Sequence, residues 1–234
     1  MKTDILMGAF AAIAKVVPYT LFTALVIMLA AICLGAVFAL VRIKKIKIVS
    51  TVLGWLIGYV RGTPMIVQMF ITYYSLPYAI AYVANTFFGM DLKYFDIPGI
   101  VTIYFSFILC QAGYQCEVIR GALSSIERGQ MEAGYAVGMS ERQTLMRIVF
   151  PQALSVALPS FFTHYMSTVK LLSLGFTLQV VDIMAAAKLY TAMTERYTES
   201  YLAAAVIYWV IGLCLTAIFH RWEMYSKRAL GTAR

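Results

Sequence analysis

Residues 16–41 read VVPYTLFTALVIMLAAICLGAVFALV, 26 residues without a charge. An α-helix rises about 1.5 Å per residue and a bilayer's hydrocarbon core is about 30 Å thick, so about 20 apolar residues cross it. This stretch is long enough, and Arg42, Lys44, Lys45 and Lys47 stop it abruptly. Four more uncharged runs follow at 62–90, 97–116, 148–169 and 200–220, of 29, 20, 22 and 21 residues. The spans are therefore placed at about 16–41, 62–84, 97–118, 150–172 and 200–220. Of the 234 residues, 62% are hydrophobic and 13% charged; a soluble domain carries about 45–50% apolar and about 25% charged residues. A soluble enzyme is excluded. The reading is an all-α integral membrane protein, a five-helix bundle forming one domain over 1–234.

The net charge of +8 would suggest a nucleic-acid partner in a soluble chain. Here its placement carries the information, the surroundings are the lipid bilayer, and no nucleic acid is expected. One side of the five spans collects Arg42, Lys44, Lys45, Lys47, Arg61, Arg120, Arg128, Arg142, Arg147, Arg221, Lys227, Arg228 and Arg234. Against them stand Glu127, Glu132, Glu141 and Glu223, leaving +9. The other side has Lys2, Lys15, Lys93, Lys188 and Arg196 against Asp4, Asp91, Asp96, Asp182, Glu195 and Glu199, which is −1. Basic loops stay in the cytoplasm, so the N-terminus is expected outside and the C-terminus in the cytoplasm. No cleavable signal peptide is expected, because the first apolar run starts late and is too long for one. Cys33, Cys110, Cys116 and Cys214 all fall within spans and form no ligand set with His164 or His220, so no metal site is expected.

Two segments break the pattern of plain spans and short loops. Residues 120–147, RGALSSIERGQMEAGYAVGMSERQTLMR, form a long cytoplasmic connection. Helix-forming stretches alternate there with Gly121, Gly129, Gly134 and Gly138, and Ser140 is placed to cap a helix from Glu141. A structured connection of that length points to function. The polar segment 188–199 is, by contrast, read as a short external loop. In the second span, Arg61-Gly62-Thr63-Pro64 interrupts the apolar residues on either side. Proline removes a backbone donor, so the helix is kinked or broken there, and irregular backbone in a bilayer marks a wet cavity or a transport site. The alternative is that 50–60 is an elbow helix on the bilayer surface before a plain span at 65–84.

Residues 132–151 carry a familiar spacing. Glu132-Ala133-Gly134, three residues, Gly138, nine residues, Ile148, one residue, Phe150-Pro151 resembles the EAA signature of bacterial ABC importer permeases. Arg61-Gly62-Thr63-Pro64-Met65-Ile66-Val67-Gln68 is similar to the RGTP-x-x-VQ segment of the polar amino acid subfamily. Tyr114-Gln115-Cys116-Glu117-Val118-Ile119-Arg120-Gly121 resembles its AYxAEIxRG segment, and Gly129-Gln130 and Pro151-Gln152-Ala153 also fit. The likeness runs from about residue 17 to 222. It departs at Gly134, usually alanine, at Phe150, usually leucine, and after Lys170, where Leu171-Leu172 stand for the usual Asp-Thr. The last departure removes two polar groups from a stretch with a possible substrate or gating role. Lys170 itself follows 22 uncharged residues, about 34 Å of helix, and is read as snorkelling at the outer interface.

The resemblance implies a permease subunit in a bacterial cytoplasmic membrane that works as a dimer with a second copy or a paralogue. Its other partners would be cytoplasmic ABC ATPase subunits and an extracytoplasmic amino acid binding protein. No GxxxxGK[ST], nucleophile elbow or HExxH occurs in the chain, so it is not expected to be an enzyme. ATP and magnesium would be bound by the ATPase partner and no cofactor by this chain. Residues 130–137 would dock there as a two-turn helix closed by Gly138, with Glu132, Ala133, Gly134 and Gly138 as its coupling residues. For a polar amino acid, leaning toward cystine through Phe176-Thr177 and Val180-Val181-Asp182-Ile183, the intramembrane candidates are Arg61, Thr63, Gln68, Tyr114, Gln115 and Glu117. Glu117 either faces the path and takes an ammonium group or pairs with Arg120 one turn on; Arg61 either pairs with Glu117 or receives a carboxylate. Tyr73, Tyr74 and Tyr78 are read as outer-interface packing. Two readings of other classes stand beside this one: an ion-coupled secondary amino acid transporter or channel without an ATPase, which the EAA spacing opposes, and a non-transporting scaffold.

Overall fold

The computed structural model describes residues 3–178 and 180–229, with side chains as far as Met224. Lys2 and Arg234, counted in the charge balance, lie outside the described residues, as do the side chains of Lys227 and Arg228. The chain runs through α1 (Thr3–Ala14), α2 (Val17–Ile43), α3 (Lys47–Gly62), α4 (Met65–Phe88) and α5 (Gly99–Ser124). It continues through α6 (Arg128–Ala136), α7 (Glu141–Thr144), α8 (Phe150–Leu171), α9 (Ile183–Thr194) and α10 (Tyr197–Ala229). Among the described residues there is no strand, and five helical stretches are long and apolar enough to cross a membrane.

α5 is the central helix, in contact with α2, α3, α4 and α8. Its small residues let neighbours approach. A Cβ on Gly113 would lie 2.4 Å from Val60 Cγ2, and one on Gly35 would lie 2.7 Å from Gln115 Cβ. Lipid supplies no hydrophobic drive between helices, so such close packing is what holds them together.

The second expected span, 62–84, falls on α4 (Met65–Phe88), which is itself long and apolar enough to cross a membrane. Ile57 packs on Cys116, Val60 on Gly113, and Tyr73 reaches Gly99. α3 and the first half of α4 thus run antiparallel along α5, and the break between them lies opposite the middle of α5. The residues of α4 beyond Pro77 continue past the Gly99 end of α5. The chain is broken at Thr63-Pro64, where the interruption was expected. The cause is local: Pro64 has no N–H to donate and forces Thr63 into an extended conformation (φ −110°, ψ 148°). The carbonyls that this frees are met by Gln68, whose Nε2 lies 2.8 Å from Val60 O and 2.9 Å from Thr63 O.

A correction concerns 188–199, which is helical apart from Glu195 and Arg196. Asp182 caps α9 by accepting from Ala185 N at 2.9 Å. The helix buries Ile183, Ala187 and Thr191 in a layer with α1 and α10. Tyr190 Oη crosses Gly8 and donates to Ile5 O at 3.1 Å, which fastens α1 to α9. Burial pushes the Asp182 carboxyl above the usual carboxylate value, against the pull of the Ala185 and Met184 N–H groups and the Tyr208 hydroxyl.

Candidate functional site

Three helices converge at the break between α3 and α4. Arg61 stands in the last turn of α3, where a cation complements the helix dipole. Its guanidinium carbon is 5.7 Å from the centroid of the Tyr114 ring on α5, and that ring is 5.4 Å from the ring of His164 on α8. Tyr114 and His164 are half-buried and Arg61 is exposed. An aromatic face supports a guanidinium without consuming its donors, so Arg61 keeps its fork free for a carboxylate. His164 was not among the residues chosen from the sequence. The only signal for it was its place as the lone ionisable side chain within the 148–169 run.

The remaining intramembrane candidates do not gather there. Thr63 and Gln68 brace the break: Thr63 Oγ1 donates to Tyr59 O at 2.9 Å and accepts from Gln68 Nε2 at 2.8 Å. Gln115 is fully buried between α2 and α5, its Nε2 3.5 Å from Met28 Sδ and its Oε1 without a hydrogen bond. Glu117 lies one turn further along α5 than Tyr114 and pairs with Arg42 of α2 and with Arg120, whose Nη2 is 2.7 Å away. The Arg61–Glu117 pair considered from the sequence is therefore not formed. α2 extends through Ile43, which carries Arg42 to Glu117, while Arg61 leans on the Tyr114 ring. Directly beside this ion triad, Ala39, Ile57 and Cys116 close an apolar cluster.

At the Gly99 end of α5, Tyr73, Tyr74 and Tyr78 line a cavity of about 480 Å³ with Tyr94 and Phe95, the Tyr78 and Tyr94 rings stacked at 4.3 Å.

The connection between α5 and α8 is built as a projecting helix. α6 ends in a Schellman motif: Gly138 N donates to Tyr135 O at 2.9 Å and Met139 N to Gly134 O at 3.0 Å. Gly138 has φ +80°, the left-handed conformation that glycine adopts without steric cost. Ser140 and Gln143 then form a capping box that starts α7. Glu132 and Ala133 point to solvent, and Glu132 makes no hydrogen bond or ion pair among the described residues. Tyr135 and Val137 are exposed beside them, so α6 presents a mixed apolar and acidic surface. Gly134 faces the other way and is buried.

Comparison with known proteins gives the family. Residues 31–223 match the family of binding-protein-dependent transport system inner membrane components. The chain is 36% identical to the probable amino-acid ABC transporter permease protein PatM of Vibrio harveyi, over 79% of this chain and 78% of the relative. It is 30% identical to the L-cystine transport system permease protein TcyL of Bacillus subtilis (strain 168), over 90% of this chain and 85% of the relative. Its fold superposes on a chain of a solved amino acid ABC transporter with histidines at a TM-score of 0.79, with 23% identity and coverage of 96% and 100%.

Proposed function

The chain belongs to the binding-protein-dependent transport system inner membrane components, as an amino-acid ABC transporter permease, and from that premise we propose how it is assembled and what it carries. Two copies, or this chain and a paralogue, enclose the translocation path with the N-termini outside and the C-termini in the cytoplasm. Two ATPase subunits, which hold ATP and magnesium, dock on α6, and an extracytoplasmic binding protein delivers a polar amino acid, with cystine foremost. ATP-driven closure of the ATPases displaces α6 and rocks the bundle between inward- and outward-facing states. Arg61, over Tyr114 and beside His164, receives the substrate carboxylate in the path. Thr63 and Gln68 keep the break between α3 and α4 in shape around it.

The observation that carries this reading is α6 itself, a two-turn helix ended by Gly138 at φ +80° with Glu132 and Ala133 unengaged on its surface. A connector with no partner has no need of a rigid, glycine-closed helix aimed away from the bundle. The cystine assignment is supported by the relationship to TcyL. Reconstitution with the ATPase subunit and binding protein tests the whole. Labelled cystine should enter proteoliposomes only with ATP on the ATPase side, and unlabelled cystine should compete best in a panel of polar amino acids. Uptake driven by an ion gradient without the ATPase would establish the secondary-transporter reading instead.

A further inference from the structure

Two contacts fasten α6, one to the foot of α8 and one to α7. Gln152 Nε2 lies 3.3 Å from Gln130 Oε1 and 2.9 Å from Ile148 O. On the neighbouring face of α6, Gly134 leaves a notch that Thr144 fills: a Cβ on Gly134 would lie 2.4 Å from Thr144 Cγ2 and 2.6 Å from Thr144 Oγ1. Thr144 is fully buried, and its hydroxyl donates to Ser140 O at 3.1 Å. The glycine that departs from the usual alanine of the signature is thus matched by a threonine ten residues on.

Between the two contacts the backbone is irregular. Residues Leu145–Val149 form a π turn, with Phe150 N bonded to Leu145 O five residues back. Pro151 has no N–H for the Arg147 carbonyl, which opens the ladder at this point. A wide turn of this kind is where a helix bends when loaded. The two contacts bracket it, one on each side.

We infer that Gln130, Gln152 and the Gly134–Thr144 notch form a latch that makes α6, α7 and the foot of α8 one rigid lever. Displacement of α6 then moves α8, and with it His164, instead of being absorbed in the π turn. Gln130 and Gln152 are positioning residues, acting on the path only through α8. The inference rests on the docking role proposed for α6.

The test compares uptake per ATP hydrolysed in proteoliposomes holding the full complex with its ATPase and binding protein. Gln130→Leu and Gln152→Leu should each lower that ratio about fivefold, the equivalent of one hydrogen bond, with co-purifying ATPase unchanged in Gln152→Leu, which lies outside α6. The double Leu variant should be no worse than the poorer single, and Gln130→Glu with Gln152→Lys should restore the ratio. Gly134→Ala should also lower it, and adding Thr144→Ala should relieve the loss. A wild-type ratio in both Leu variants, or a charge pair no better than the singles, would overturn the latch while the docking of α6 stood. Wild-type uptake with no ATPase present would remove the docking reading, and the latch with it.

Discussion

Glu117 on α5 is held by Arg42 on α2 and, through its other oxygen, by Arg120 one turn along its own helix. The Glu117 side chain is 19% exposed and that of Arg42 26%, so the charges are partly withdrawn from water. Removing one partner leaves the other uncompensated. Glu117→Gln should cost about 2 kcal/mol of stability, within the range for charged hydrogen bonds. Arg42→Gln together with Glu117→Gln should cost less than the sum of the singles. Thermal unfolding of the four proteins in one detergent measures this, and strict additivity would show that the pair does not hold α2 to α5.

Arg61 is predicted to act on substrate rather than on stability, because it has no carboxylate partner among the described residues and leans on Tyr114. Arg61→Lys keeps the charge but loses the planar fork. It should raise the KM for uptake about tenfold, the loss of one charge-assisted hydrogen bond, with unfolding temperature unchanged. Uptake kinetics decide it. An unaltered KM would remove Arg61 from the path.

How much of this was legible in the chain follows from the kind of signal each part leaves. The spans, the α6 helix and its Gly138 terminus were readable because uncharged runs and a glycine after a helical stretch are local features. The break between α3 and α4 is readable, since Pro64 declares itself, but the partnership of α3 with α5 is not, because it depends on Gly113 lying opposite Val60. Arg42 as the partner of Glu117 and His164 as the neighbour of Tyr114 are tertiary facts, set by helix registers that no single segment encodes. α9 was read as part of a loop because its buried face is made of small residues, Ala185, Ala186 and Ala187, beside polar ones. Such a helix lacks the apolar length that marked the spans.

Asp182 gives a pH prediction whose sign follows from its raised pKa. A carboxyl that is harder to ionise folded than unfolded favours the folded state at low pH, and that advantage is lost as pH rises through its folded pKa. Asp182→Asn removes the buried charge and keeps an acceptor for Ala185 N. The variant should therefore gain most over wild type at pH 7–8, and the difference should shrink as pH falls toward the ordinary carboxylate range. Unfolding temperatures across that range test it; a gain that grows on acidification would contradict the burial argument.

The most direct measurement is the amount of ATPase that co-purifies with this chain, and the ATP-driven uptake it supports, in wild type and in Gly138→Trp. Tryptophan adds a bulky side chain at the end of α6 and strain of about 1 kcal/mol at a positive φ, while every apolar span is untouched. The predicted result is a normal level of the variant in membranes, loss of the co-purifying ATPase and no uptake, with Glu132→Lys behaving alike. Full ATP-driven uptake by Gly138→Trp would contradict the assignment of α6 as the element on which the ATPase docks.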